Sequence, residues 1–401
     1  MVSLEDLKAL ARPAPTKIVL LVLDGLGGLS GGSDGKTELE AARTPNLDRL
    51  AAQGNLGLAD PVAPGITPGS GPGHLGLFGY DPLQFRIGRG VLEAVGIDLP
   101  MTERDLAARG NFCTVDAAGL ITDRRAGRIP TETCARLTPR LEKIGIPGVE
   151  LIVRPVREHR FVVLFRGDGL EEGLSETDPQ ETATPPLPVH AEVPQAEPAA
   201  KIANQFVAEA RRMLATEHPA NMVLLRGFSR YPCLPRLTEI YGVRAAVIAV
   251  YPMYRGLAKL VGMQAVRTGD TVADEFAALE SVFGDFDFFF LHVKKTDSAG
   301  EDGNFDKKVS IIEEADAQIP RLVALRPDVL VVTGDHSTPA AFKAHSWHPV
   351  PVLLWSKWCR PDGAARFSER ECRYGGLGHI RAAELMPLMM AHAERLTKFG
   401  A

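Results

Sequence analysis

Long apolar runs recur along the chain and fix its first reading. In "KIVLLVLDG" the run Ile18–Leu23 is continuous rather than alternating. A strand covered on both faces carries apolar residues at every position, so this run predicts a buried parallel strand ending on Asp24. Runs of the same kind follow in "NMVLLRG" from Asn221, "AAVIAVYP" from Ala245, "FDFFFLHV" from Phe286, "DVLVVTGDH" from Asp328 and "PVPVLLW" from Pro349. Between them lie segments with helical spacing, including "AAKIANQFVAEARRMLATE", "YRGLAKLVGM", "TVADEFAALESVFG" and "FDKKVSIIEEADAQIPRLVAL". Strand–helix alternation implies an α/β fold with a mostly parallel sheet. An earlier helix is predicted in "ARTPNLDRLAAQG": Thr44 caps it, Pro45 takes the first position, Leu47, Leu50 and Ala51 share a face, and Gly54 stops it.

The middle of the chain breaks this rhythm. From about Glu103 to Leu174 there are short strand-like pieces such as "LIVRPV" and "HRFVVLFRG", separated by arginine-rich turns. The segment "SETDPQETATPPLPVHAEVPQAEPAAK" is rich in Pro, Thr and Glu and reads as a long surface connection or hinge. The expected organisation is an α/β core, 1–102 and 184–401, interrupted by a smaller α+β cap, 103–183.

Composition adds boundaries rather than detail. The chain has 401 residues, 45% of them hydrophobic and 24% charged, enough for a large core. The formal net charge of -5 has no basic stripe behind it, which argues against a nucleic-acid partner. Five cysteines are scattered without CxxC spacing, which argues against a disulfide framework and suits a reducing cytosol. The N-terminal apolar run is too short for a signal segment, and no stretch approaches the roughly 20 apolar residues of a membrane span. A cytoplasmic protein with no membrane partner is expected, with homo-oligomerisation left open.

In an open parallel sheet, ligands gather beyond the carboxyl ends of the strands. Asp24 follows the first run, and "KKTDSAGED" follows the fourth, carrying Asp297, Glu301 and Asp302. "TGDHSTP" follows the fifth with Asp335 and His336, and "HSWH" adds His345 and His348. Singly, each has an ordinary explanation as a turn, a helix cap or a solvated charge. Together they deliver carboxylates and imidazoles to one edge, a ligand set that suits two divalent ions of the Mn²⁺ or Zn²⁺ kind. Without a cation such a cluster of acids would repel itself.

The segment "ITPGSGPGHLGLFGYD" then offers a nucleophile. Ser70 stands among Gly69, Gly71 and Gly73, whose backbone could close on a phosphate. A serine hydroxyl needs a base or metal beside it to attack at neutral pH. Thr67 is a rival hydroxyl, and the loop alone does not choose between them. Arginines in "ITDRRAGRIP" (Arg124, Arg125, Arg128) and "FRIGRGVLEA" (Arg86, Arg89) are candidates to grip an anion, with the Arg125–Arg128 pair favoured over surface solvation. "DGLGGLSGG" lacks the regular GxGxxG spacing of a dinucleotide loop.

Taken in order, "LVLDGLGG", "TPNLDRLAAQG", "GITPGSGPGHLGLFGYDP", "RGNFCTVD", "ITDRRAGRI", "KKTDSAGEDGN", "TGDHSTP" and "HSWHPVPVLL" resemble the alkaline phosphatase superfamily, and within it the archaeal-type cofactor-independent phosphoglycerate mutases. The resemblance implies an alkaline-phosphatase-like α/β fold with a substrate-binding cap. It implies that Asp24, Asp335 and His336 hold one metal, with Ser70 beside it as the phosphorylated nucleophile. Asp297 and His345 match ligands of a second metal. Glu301 stands where the family pattern usually has histidine, and as a carboxylate it stays a candidate ligand. Arg86, Arg89, Arg124, Arg125, Arg128 and His348 become candidates for substrate binding.

The activity so implied is interconversion of 3-phosphoglycerate and 2-phosphoglycerate, with Mn²⁺ foremost, Zn²⁺, Co²⁺ or Mg²⁺ as alternatives, and no bisphosphoglycerate. Water must be kept out, which gives the cap and the Pro-rich connection a closing role. The rivals are a related phosphotransferase such as a homoserine kinase, a phosphate-ester hydrolase, and a non-catalytic nucleotide-binding module.

Overall fold

The computed structural model describes residues 2–31 and 35–400. Its strands, in chain order, are β1 (Ile18–Leu23), β2 (Asn55–Asp60), β3 (Asp105–Val115), β4 (Ile121–Asp123), β5 (Glu150–Arg157), β6 (Arg160–Arg166), β7 (Met222–Arg230), β8 (Ala245–Ala249), β9 (Gln264–Val266), β10 (Phe288–Val293), β11 (Val329–Thr333), β12 (Val350–Ser356) and β13 (Gly378–Arg381). The chain forms two compact units, Met1–Arg86 with Leu234–Ala401, and Ile87–Cys233.

The first unit holds an eight-stranded sheet in the order β13-β2-β12-β11-β1-β10-β8-β9. β1 sits between β10 and β11, parallel to both, and all of its residues are buried. This is the mostly parallel, doubly covered sheet that the continuous apolar runs predict; β12 alone runs antiparallel to its neighbours, β11 and β2. Register does the positioning. Leu23 lies opposite Val293, and Val22 lies opposite Thr333. The segments after β1, β10 and β11 therefore leave the same sheet edge side by side.

The helix Pro45–Ala51 starts after Thr44 as expected, but Thr44 does not cap it. The Thr44 hydroxyl turns to Asp48, and the first backbone N–H groups are taken by Asp316, which accepts from Leu47 at 2.7 Å and Asn46 at 3.1 Å. A carboxylate from a distant helix does the work of a local cap, which spacing along the chain cannot reveal.

The second unit is an antiparallel sheet in the order β4-β3-β6-β5, with β7 also paired to β3. Two expectations are corrected here. The inserted unit runs from Ile87 to Cys233 rather than from 103 to 183. "NMVLLRG" is an antiparallel strand of this unit, not of the parallel core. The difference has a physical cause. Val223 and Leu225 pack into one apolar cluster and Met222 and Leu224 into another, so β7 is covered on both faces and shows the same unbroken run as a parallel strand.

The Pro-rich connection is likewise no free hinge. Thr177 and Asp178 are buried, and Thr177 exchanges hydrogen bonds with Leu225 on β7. Helix Glu197–Leu214 packs Ala203, Phe206 and Leu214 into the same core. The chain passes between the units at 86–87 and 233–234 instead. No helix among the described residues is long and apolar enough to cross a membrane. All five cysteines are free thiols.

Candidate active site

The end of β1 delivers Asp24, followed by Gly25 with φ +63°. A side chain at Gly25 would collide with Thr338 and Asp297, so the turn and the crowding both demand glycine there. The Gly25 N–H donates to Asp335 Oδ1 at 3.1 Å, and the Thr296 hydroxyl donates to the Asp24 carbonyl at 2.6 Å. The loops after β1, β10 and β11 are thus stitched to one another by the protein's own groups.

Two groups of potential metal ligands result, Asp24–Asp335–His336 and Asp297–His336–His345, each with ligand atoms within 4.8 Å of one another. His336 Nε2 lies 3.2 Å from Asp24 Oδ1 and 3.2 Å from Asp335 Oδ2. His345 Nε2 lies 3.6 Å from Asp297 Oδ1, and its ring stacks on that of His336. Glu301 falls outside both groups. It ends the helix Lys295–Glu301, is half exposed, and stands 3.8 Å from His345 Nε2. Asp302 is exposed.

Electrostatics favour a cation at this place. Asp24 and Asp335 are fully buried, and Lys294, His292, His336 and His74 meet their carboxylate oxygens only as ion-pair contacts of 3.1–3.2 Å rather than well-aligned hydrogen bonds. Buried carboxylates so weakly satisfied favour a further cation. Burial pushes the Asp24 carboxyl up, but Lys294, His292 and His336 outweigh it and hold the group well below the carboxylate range. Burial pushes the His336 imidazole down, and Asp335, Asp24 and Asp297 raise it to about 9. The field that holds a proton on His336 also favours a divalent ion, and the donor set of carboxylates and imidazoles fits one.

Ser70 opens the helix Ser70–Leu77, and its Oγ lies 3.4 Å from His336 Nε2. Thr67 is exposed in the preceding segment. Of the glycines around Ser70, Gly73 serves a purpose other than the expected one. Gly73 N–H is already bonded to the Gly69 carbonyl, and a side chain at Gly73 would fall on the carbonyl oxygen of Asp335. Gly73 lets this helix lie directly against the loop that bears Asp335. His74 completes the contact, with Nδ1 at 2.8 Å from the Ser70 carbonyl and 3.1 Å from Asp335 Oδ2.

Several groups around this site carry signals that spacing alone leaves unread. His292 is the one polar side chain of β10 and lies 3.2 Å from Asp24 Oδ2. Lys294, three residues before Asp297, contacts both Asp24 and Asp297. Lys308 sits on the apolar stripe of its helix with Ile311, Ile312 and Ala315, fully buried. Its ammonium donates to the carbonyls of Gly25 (2.8 Å), Gly27 (3.2 Å) and Thr338 (2.9 Å). One buried cation therefore ties together the loops that carry Asp24 and His336.

The expected arginines separate into different roles. Arg124 is committed to Asp178 through two hydrogen bonds, of 2.8 and 2.7 Å, which makes it a structural tie of the second unit. Arg86, Arg89, Arg125 and Arg128 are exposed, and His348 pairs with Ser346 outside the ligand groups. The second unit instead builds a cluster that the sequence does not announce. Strand register puts Arg109 opposite Val162 and Arg226, and Asn111 opposite Arg160, on one face. Arg109 Nε, Asn111 Oδ1, Arg160 Nε and His159 Nδ1 are buried there without hydrogen-bond partners. Burial and the neighbouring Arg160, Arg89 and Arg226 push the Arg109 guanidinium down, although Glu93 opposes them. Burial, Arg160, Arg109 and Arg125 lower His159 to about 4, so it is neutral at pH 7. Crowded guanidinium groups with unspent donors suit an anion.

Comparison with known proteins accords with the sheet. The family model described as 2,3-bisphosphoglycerate-independent phosphoglycerate mutase matches residues 51–221. A probable 2,3-bisphosphoglycerate-independent phosphoglycerate mutase of Thermotoga neapolitana is 54% identical, with 96% of each chain covered. Its counterpart in Thermus thermophilus is 52% identical, with 98% of each covered. Among solved structures, a Pyrococcus horikoshii protein superposes with a TM-score of 0.82 at 33% identity, covering 96% of this chain and 99% of its own. The cofactor-independent phosphoglycerate mutase of Thermoplasma acidophilum gives 0.76 at 28% identity, covering 94% and 100%.

Proposed function

The chain belongs to the family of 2,3-bisphosphoglycerate-independent phosphoglycerate mutases, and on that premise we propose that it interconverts 3-phosphoglycerate and 2-phosphoglycerate by carrying the phosphoryl group on Ser70. The observation that carries this reading is the placement of the Ser70 hydroxyl 3.4 Å from His336 Nε2, at a helix start beside the buried carboxylates of Asp24 and Asp335. Asp24, Asp335 and His336 would hold one divalent ion, and Asp297 and His345 a second, with Glu301 at its exposed side. Bound there, such ions lower the pKa of a neighbouring hydroxyl and neutralise phosphoryl oxygens.

The chain's own residues account for the rest. Ser70 Oγ loses its proton and attacks phosphorus, the bond from phosphorus to the C3 oxygen breaks, and that oxygen takes up a proton. Glycerate is retained, and its 2-hydroxyl then attacks the phosphoserine in the same sense, which restores Ser70. The helix N-terminus at Ser70 favours the negative phosphoryl group. The purified protein given 3-phosphoglycerate and Mn²⁺, without bisphosphoglycerate, should form 2-phosphoglycerate. Free phosphate as the sole product would sink the mutase reading and favour a hydrolase.

The arginine face of the second unit is proposed to bind the anionic substrate. Arg160 has a buried Nε without a hydrogen-bond partner. Arg160→Met should raise KM roughly ten- to a hundred-fold, the loss of one charge-assisted hydrogen bond, while Mn²⁺ binding stays unchanged. Steady-state kinetics beside a metal titration tests this; an unchanged KM would remove Arg160 from the substrate site.

A further inference from the structure

Lys294 lies between the two groups of candidate ligands. Its Nζ is 3.1 Å from Asp24 Oδ2 and forms a close ion pair with Asp297 Oδ2. Those carboxylates come from the ends of different strands, β1 and β10, and belong to different ligand groups. The backbone of Lys294 is anchored at the end of β10, where the helix Lys295–Glu301 begins. The Tyr254 ring backs the ammonium at 5.5 Å. Only 23% of the side chain is exposed, so water screens the charge poorly.

We propose that Lys294 sets the affinity of this centre for divalent ions through its charge. That fixed positive charge opposes any cation that shares the oxygens of Asp24 and Asp297. The inference rests on the metal-dependent reading above. Two like charges drawing on the same carboxylates repel at short range, and a largely buried site weakens that repulsion much less than water does. A purely structural lysine predicts the opposite sign, because its loss would disorder the carboxylates and weaken ion binding.

The test is calorimetric titration of Mn²⁺ into the wild-type chain, Lys294→Met and Lys294→Arg, with circular dichroism to establish that each is folded. Lys294→Met should bind Mn²⁺ about ten-fold tighter or more. Lys294→Arg, which keeps the charge, should stay within about three-fold of the wild type. Equal or weaker binding by folded Lys294→Met would overturn the proposal, as would equal tightening in both variants, which would make the effect one of size rather than charge. A wild-type chain that takes up no Mn²⁺ would overturn the metal reading itself.

Discussion

Ser70→Ala should abolish phosphoglycerate interconversion while both divalent ions remain bound. The loss expected is about four orders of magnitude or more in kcat, the scale seen when a covalent nucleophile is removed from a group of residues acting as a unit. Metal binding should survive because the buried carboxylates of Asp24 and Asp335 and the imidazole of His336 are held by groups other than the Ser70 hydroxyl: Lys294 and His292 at Asp24, Gly25 N–H and His74 at Asp335, and Thr338 at His336. The companion variant Thr67→Ala should keep full activity, since Thr67 is exposed in the segment before the helix. Phosphorus-labelled substrate should leave label on the wild-type chain and none on Ser70→Ala. Activity in Ser70→Ala, or label that moves with Thr67, would remove Ser70 from the mechanism.

Chelation should have an effect of similar size, with a second signature in stability. Treatment with EDTA followed by desalting should bring turnover to background, and Mn²⁺ should restore it. The melting temperature should fall by several degrees on chelation. A ligand present at about a thousand times its Kd stabilises the native state by about 4 kcal/mol, and that contribution disappears when the ion is stripped. What remains is a buried cluster of Asp24, Asp297 and Asp335 in which Lys294 and His336 are the nearest compensating charges. Full turnover in a sample shown by elemental analysis to hold no divalent metal would overturn the proposed chemistry.

The parts of the site that are legible in the sequence share one property: they follow strands. Asp24, Asp297, Asp335 and His336 each stand just beyond or a few residues past a continuous apolar run, and the rule that parallel strands present their ends together places them in one region. Ser70 is legible through its motif, with Thr67 left beside it as a rival. Arg124 misleads for a related reason. Arg124, Arg125 and Arg128 cluster in sequence, but Arg124 is spent on Asp178. Arg109, Arg160 and Arg226 are remote in sequence and meet only because β3 pairs with both β6 and β7.

By itself, the sequence determined the α/β class, the run of buried strands, the acids and imidazoles at their ends and the serine that could take a phosphoryl group. These are local facts: a burial pattern and the residue that follows it. The tertiary structure decided which strand belongs to which sheet, because a strand covered on both faces looks alike in either. It also decided which glycine serves packing, which hydroxyl meets the imidazole, and which buried cations, Lys294 and Lys308, stand among the ligands and their loops. Those outcomes depend on pairing register and close approach between segments far apart along the chain, and no spacing within a single segment encodes them.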